Sequence, residues 1–451
     1  MPTVHSVTLA LPAVAIVAIV AVSALLARVG SDARWLAALG HVIVARHGIP
    51  AGIPFASTPT AHWPNALVLA ELIFNALEGA LGDRGLMLAQ IVAITGGLAI
   101  VARDARAGGA RSGPIAVALV LAAAGSIASL AIVRVQLFSL LLFPALVALL
   151  RSQARVPSKA IWLAVPLLAL WSNLHGAALL GLAVLLGHLL LARARREPLR
   201  ALAVAVAATV ALCLTPALWR TPAYYVGVLT NVAAQRGVGM WGPLSLSSPF
   251  DLLLIVAALA GLALVLARRA WPAMWELAVL AGLALLTIRA DRDGVWLMLF
   301  AAPIVARALR RERSPRKHAL APIIGAAAVA LLGFAIARGP VPDGASPSLL
   351  RSALALSHGS PILADGAIDE QVALAGGRIW AGDPIDAFPR SVQAAYLDWL
   401  AGARSGAAAV TPAVRVALVT RGSAAQVLMT RLRGFVVARA DAGTLLYERN
   451  G

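Results

Sequence analysis

The chain has 451 residues, is 60% hydrophobic and only 13% charged, and has a mean hydropathy of +0.85. Soluble domains run at roughly 45–50% apolar and about 25% charged residues, so a water-soluble globular class is excluded and a bilayer is the natural solvent. The net charge of +18 does not point to nucleic acid, because much of the arginine sits in short loops between apolar runs and not on a soluble basic face.

Apolar runs recur along the first three quarters of the chain. Backbone polar groups in hydrocarbon are satisfied only within helices or closed barrels, so each run reads as a helix. The expected spans are Val7–Ala27, Gly85–Val101, Pro114–Ile132, Gln136–Leu150, Ala160–Leu174, Ala177–Leu191, Ala201–Leu218, Asp251–Ala267, Pro272–Ile288, Val295–Ala308 and Leu320–Ala337, about eleven transmembrane helices at bilayer length. Only His5 stands for a basic region ahead of the first run, which favours a retained helix over a cleaved leader. Cys213, the only cysteine, lies inside an apolar run and excludes an internal disulfide or a cysteine-based metal site.

Residues 28–84 form a long first loop, within which Asn65–Gly82 is amphipathic. Five short loops are rich in basic residues: Arg103, Arg106 and Arg111; Arg151, Arg155 and Lys159; Arg193, Arg195, Arg196 and Arg200; Arg268 and Arg269; and Arg307, Arg310, Arg311, Arg313, Arg316 and Lys317. The positive-inside rule places them in the cytoplasm. The alternation is self-consistent only if Asn65–Gly82 lies at the outer surface as a juxtamembrane or re-entrant helix. The N-terminus is then cytoplasmic and the region after residue 337 is outside.

That C-terminal region, 338–451, opens with a Gly-Pro-Val-Pro-Asp-Gly linker. Alternating patterns predict strands at Pro361–Ala364, Arg378–Ala381, Val414–Thr420, Phe435–Ala440 and Thr444–Glu448, with helices at Ser391–Ala401 and Ala424–Leu432. This is a small α/β domain without a G-x-G-x-x-G phosphate loop, for which a structural or gating role is expected.

Polar groups at the outer ends of helices are the chemical candidates, since ionisable groups at membrane depth are costly and tend to be functional. Asp32, just beyond the first span, either caps the helix that follows or serves as a general base or a divalent-metal ligand. Glu71, among Leu67, Leu69, Leu72 and Phe74, is either a carboxyl of raised pKa or a wet-face glutamate. His41, His47 and His62 lack metal-site spacing and read as solvated loop residues. In Arg134-Val135-Gln136-Leu137-Phe138-Ser139, Arg134 could grip a lipid phosphate or simply snorkel. Trp171-Ser172-Asn173-Leu174-His175-Gly176 presents Asn173 and His175 at a helix end, lining a pocket or making a turn. Arg289 and Arg292 flank a tight turn and could hold a phosphate or pair with Asp291 and Asp293. Trp241 could stack on a sugar or anchor at the interface.

These strings together resemble a bacterial branch of the GT-C glycosyltransferase superfamily. The likeness is carried by Asp32, Trp35, Gly40, Pro50, Pro54-Phe55-Ala56-Ser57, Trp63 and Leu69-Ala70-Glu71, and most specifically by Arg134–Ser139 and Trp171–Gly176. It implies an all-α polytopic bundle with a small C-terminal α/β extracytoplasmic domain, in a bacterial inner (plasma) membrane. It further implies transfer of a sugar from a polyprenyl-phosphate donor to a glycan, lipid or protein acceptor at the outer face, with Asp32 as the catalytic base. Glu71, Arg134, Gln136, Asn173, His175, Trp241, Arg289 and Arg292 are the substrate-binding candidates. No cofactor is implied with certainty, and a divalent metal is possible. The chain departs from the pattern at Gly52 or Ile53, where the family has a second aspartate, and at Met240-Trp241, where it has Glu-Trp. The competing reading is a non-catalytic transporter, flippase or assembly scaffold.

Overall fold

A computed structural model of the chain describes residues 4–30, 32–60, 62–309 and 320–450. Arg310, Arg311, Arg313, Arg316 and Lys317 of the last basic loop lie outside the described residues. Each of the eleven apolar runs contains α-helix, but Pro114–Ile132 is broken at Ser126 and ends in a strand, and Ala201–Leu218 is α-helical only as far as Ala211. Among the described residues four helices, Asp83–Ala107, Leu137–Arg155, Pro249–Ala267 and Ala321–Arg338, are long and apolar enough to cross a membrane, and five shorter apolar helices accompany them. The chain is accordingly a multi-pass membrane protein. The last of the four helices is largely uncovered by protein. Its Ile323, Ile324, Val329 and Phe334 side chains are exposed, as a lipid-facing helix requires.

The first loop contains two helices, Ala33–Arg46 and Val68–Leu81. They cross closely at Gly40, where a Cβ would overlap the carbonyl oxygen of Glu71. Only glycine admits this approach. The Val68–Leu81 helix ends at Gly82 and leads directly into Asp83–Ala107.

Several arginines of the basic loops meet at one end of the bundle. Arg151 donates from Nη1 to Asp104 (2.9 Å), from Nε to Glu276 (2.7 Å) and from Nη2 to the Phe300 carbonyl (2.8 Å). Arg307 reaches Glu276 at 3.0 Å and Arg155 reaches Asp104 at 3.4 Å. Buried ions are tolerated only when paired and hydrogen-bonded. This network meets that condition and ties four helices together.

At the other end, the chain crosses between its N-terminal part and its C-terminal region. Strand β1 (Arg28–Val29) pairs in parallel with β2 (Ile132–Val133), and Arg28 also bridges Val341. The C-terminal sheet comprises β3 (Ile362–Ala364), β4 (Val416–Thr420), β5 (Phe435–Ala440) and β6 (Thr444–Arg449), in the order β3-β4-β6-β5. The β3–β4 pair is parallel and the other two pairs are antiparallel. Arg378–Ala381 does not form the expected strand. Ile379 alone bridges β3 on one side and Ala56 of the first loop on the other. The reason is that the first loop docks there: Ser57 N–H donates to the Ile379 carbonyl (2.8 Å) and Ile379 N–H to that of Phe55 (2.9 Å). The expected helices are found at Arg390–Leu400 and Ala424–Met429, and two more at Pro347–Ser357 and Ala367–Leu374.

Replacing Gly40 by Ala should force the two first-loop helices apart. Overpacking of this kind costs about 1–3 kcal/mol, so the thermal unfolding midpoint in detergent should fall by several degrees. An unchanged midpoint would mean that the crossing is loose.

Candidate active site

Two short strands set the geometry. The β1–β2 pair brings the residues following each strand side by side, so that Asp32 comes to lie against the Arg134-Val135 turn. Val135 N–H donates to Asp32 Oδ1 at 2.7 Å. Asp32 occupies the N-cap position of the Ala33–Arg46 helix with φ of 89°, yet its side chain makes no capping bond. A left-handed aspartate at this position is uncommon and locally strained. The half-buried carboxyl has its pKa raised by loss of solvent and by Glu370 and Asp383, against the Val135 N–H and Arg134.

Arg134 is buried, 7% exposed. Its Nη1 donates to the sulfur of Met240 at 3.1 Å, and its Nε has no partner among the described residues. A thioether is a weak acceptor, so the guanidinium retains most of its capacity for an anion. Burial lowers its pKa to about 10, which leaves it charged at neutral pH, and Asp32 favours the charged form. Arg292 lies with its guanidinium 3.7 Å from the centroid of the Trp241 ring, a cation–π contact. Met240 and Trp241 thus face the two cations from a single 3₁₀ turn, Gly239–Trp241. A cavity of about 220 Å³ opens here, with Arg134, Arg292 and Ser126 among its polar lining and Phe250 and Leu254 on its apolar side. A wider depression of about 370 Å³ is lined by Arg34, Glu78 and Asp83, but there Arg34 and Asp83 already pair at 2.9 Å.

His175 belongs to a buried chain. Trp171 Nε1–H, a donor only, bonds Ser139 Oγ at 2.6 Å, and Ser139 Oγ lies 2.6 Å from His175 Nδ1. The fully buried Ser139 hydroxyl must place its own proton, and Nδ1 is the acceptor at hand. That sets the neutral tautomer of His175 with hydrogen on Nε2. Withdrawal from water and the cations Arg134 and Arg292 lower the His175 pKa to about 3, which keeps the ring neutral. It can offer an N–H to a substrate oxygen but carries no charge at physiological pH.

The other candidates fall in different places. The Asn173 amide donates to the carbonyls of Ala169 (2.8 Å) and Leu214 (2.6 Å), so its NH₂ group ties helix ends together. Exposed Arg289 donates to the Ala234 carbonyl at 3.0 Å and braces the Met240 loop from outside. Gln136 is buried at the start of the Leu137–Arg155 helix, with Oε1 unpartnered among the described residues. Glu71 is fully buried, accepts from Asn65 Nδ2 at 2.9 Å, and is pushed by burial to a pKa of about 8. It is a neutral acid at pH 7. His41, His47 and His62 are exposed.

Four further residues come to the site from regions with no local signal. Tyr224 packs on Gly176, where a Cβ would lie 3.0 Å from its hydroxyl. Asp386, Asp32 and Glu71 all raise its pKa, after burial. Asp386 accepts from Trp63 Nε1 at 2.9 Å, and Trp63 packs edge-on to Trp35. Burial pushes Asp383 and Asp386 to about 6 and Glu370 to about 7. Despite these acids, no group of three or more His, Cys, Asp or Glu side chains among the described residues is disposed to hold a metal ion. Both Glu370 oxygens are already taken by backbone N–H groups. The donor set does not fit a divalent metal.

Removing the Ser139 hydroxyl (Ser139→Ala) leaves Trp171 Nε1 and His175 Nδ1 without their partner. Leaving buried polar groups unsatisfied costs about 1–3 kcal/mol, readable as a lowered midpoint in tryptophan-fluorescence unfolding. A stability equal to the parent would show that water replaces the hydroxyl.

No family model matches the chain, and no curated protein does. Solved structures do. ArnT from Cupriavidus metallidurans bound to undecaprenyl phosphate aligns with a TM-score of 0.57 at 13% identity, over 99% of this chain and 98% of that one. The same protein in the apo state gives 0.56 at 14% identity, over 98% of each chain. The arabinofuranosyltransferase AftD from Mycobacteria gives 0.52 at 17% identity, over 98% of this chain and 41% of that one. The match runs through both the helical bundle and the C-terminal sheet, so the chain has the fold of the GT-C membrane glycosyltransferases.

Proposed function

We propose that the chain is a membrane glycosyltransferase that moves a sugar from a polyprenyl-phosphate donor to an acceptor hydroxyl. The observation that carries this reading is the adjacency of one carboxylate, Asp32, to a buried and weakly partnered guanidinium, Arg134, at the ends of two paired strands. A fold neighbour bound to undecaprenyl phosphate supports the donor class. The cavity beside Arg134 has an apolar wall and a charged wall that carries Arg134 and Arg292 together with Asp251 and Asp291, and its two guanidiniums suit an isoprenoid phosphate.

In this reading Asp32 takes the proton of the acceptor hydroxyl as its oxygen attacks the anomeric carbon. The bond from that carbon to the phosphate oxygen breaks with inversion. The electron pair stays on the lipid phosphate, where Arg134 and Arg292 neutralise it. His175 Nε2–H and Tyr224 border the space where the sugar lies. Residues 1–337 form the membrane domain with eleven spans and a cytoplasmic N-terminus. Residues 338–451 form an extracytoplasmic domain at the inner membrane of a bacterium. The acceptor is a glycan, a lipid or a protein.

Asp32→Asn should reduce transfer from undecaprenyl-phosphate sugars in proteoliposomes by a hundredfold or more, in line with the ~10²–10⁴-fold typical of a lost general base. Transfer near the parental rate would remove the assigned role and favour a scaffold or transporter. Because a base must be ionised and the Asp32 pKa is raised, kcat/KM should fall as pH drops through a value above the ordinary aspartate pKa of about 3.9. A profile flat down to that value would contradict the base assignment. Arg134→Gln should weaken undecaprenyl phosphate binding, measured by native mass spectrometry. Losing a bond to a charged group costs about 1.5–3 kcal/mol, or tenfold and more in Kd. Unchanged binding would place the phosphate elsewhere.

A further inference from the structure

A helix that begins with aspartate at its N-cap ordinarily turns that carboxylate back onto its own free N–H groups. The Ala33–Arg46 helix does not do this. The Asp32 side chain points instead to Val135 N–H (2.7 Å), and the capping bonds come from a residue 338 positions away. Glu370 Oε1 accepts Asp32 N–H at 2.6 Å, and Glu370 Oε2 accepts Arg34 N–H at 3.0 Å. The Arg34 amide is at the N2 position, the one an N-cap side chain would itself engage. Glu370 is 1% exposed and stands in the first turn of the Ala367–Leu374 helix. That helix packs on the start of the first-loop helix, with a Cβ at Gly30 coming within 3.2 Å of Ala367 Cβ.

We propose that Glu370 is a positioning residue. It caps the first-loop helix from the C-terminal region, and in doing so releases the Asp32 carboxylate for the site. Two carboxylates compete for one helix end, and the fold assigns that end to Glu370. Without it, Arg34 N–H loses its acceptor. Asp32 would then relax from its left-handed backbone to the extended conformation of an N-cap, turn its side chain off Val135 and close its own cap, leaving a folded helix and an empty base position. The inference rests on the glycosyltransferase reading for its consequence in catalysis, but the exchange of caps stands on hydrogen bonds alone.

The charges around both groups bear on the test. Asp32 faces Glu370 and Asp383 from the C-terminal region, Arg134 from the β2 turn, Arg292 from the turn after the Met274–Arg289 helix, and Tyr224 from the Thr221–Thr230 helix. Glu370 faces Arg34, Asp369 and Asp383. Removing the Glu370 charge takes a negative neighbour from Asp32, so wherever Asp32 still serves as base the acid limb of kcat/KM moves to lower pH.

The experiment compares the full-length parent, Glu370→Gln, Glu370→Ala and Asp32→Asn in proteoliposomes. Deuterium uptake is read on peptides covering residues 28–40, and transfer is read with a panel of undecaprenyl-phosphate monosaccharides. Glu370→Ala should speed exchange at the Asp32 amide at least tenfold while the Arg34 amide, recaptured by Asp32, stays protected. In Glu370→Gln, kcat should fall at least tenfold with the donor KM within twofold of the parent, and the acid limb should shift downward. Unchanged exchange at Asp32 overturns the proposal. So does faster exchange spread through β4 and β6, which would mark Glu370 as a folding residue. Asp32→Asn abolishing transfer while Glu370→Gln keeps the parental kcat and acid limb overturns the positioning role alone. Asp32→Asn at full rate overturns the glycosyltransferase reading, and amide exchange then still decides the cap.

Discussion

The hydrogen bond from Val135 N–H to Asp32 Oδ1, 2.7 Å long, joins two segments that lie about a hundred residues apart in the chain. It is possible because β1 and β2 run in parallel just upstream of both residues and deliver them in register. Moving either strand by one residue would turn Asp32 or Arg134 to the opposite face. The left-handed backbone at Asp32 belongs to the same constraint, since strain of that kind persists only where the surroundings over-determine it. Here the surroundings are the paired strands, the Val135 amide and the Glu370 carboxylate.

Charge is sorted across this joint. Arg134 and Arg292 lie beside the cavity, against a thioether and an indole ring, and Asp291 and Asp293 of the neighbouring turn favour the charged form of both. Asp383, Asp386 and Glu370 approach from the C-terminal region; burial raises the pKa of all three, and a neighbouring carboxylate adds to it at Asp383 and Glu370. Asp32 stands between the two sets and feels both. The C-terminal region therefore contributes to the electrostatics of the first loop.

The two ends of the bundle solve the problem of buried charge differently. At the arginine-rich end, Asp104, Arg151, Glu276 and Arg307 satisfy one another in a closed network. At the Asp32 end, several groups remain open, with Arg134 Nε and Glu71 Oε1 lacking partners among the described residues. Full satisfaction makes the arginine network a rigid structural joint, although the neighbouring Trp275 Nε1 and both His188 ring nitrogens are also without partners among the described residues.

Hydropathy by itself determined the helices, because a bilayer forces every long apolar run to satisfy its backbone internally. The two first-loop helices, most of the C-terminal strands, and the strings around Arg134 and His175 were legible for the same local reasons of period and composition. Asp32 could be read as either cap or base, since both uses look identical along the chain; the arrival of Glu370 at the helix end removes the capping use. Asn173 and Arg289 looked equally suited to a pocket, yet nearby carbonyls claim their donors. Tyr224, Asp383 and Asp386 carry no motif: Tyr224 reaches the site by packing on Gly176, and the two aspartates come with the C-terminal region, to which the first loop is tied along Ile379. Local periodicity reports which face of an element is apolar. Which polar groups converge is decided by contacts hundreds of residues apart, and these exist only once the chain has packed.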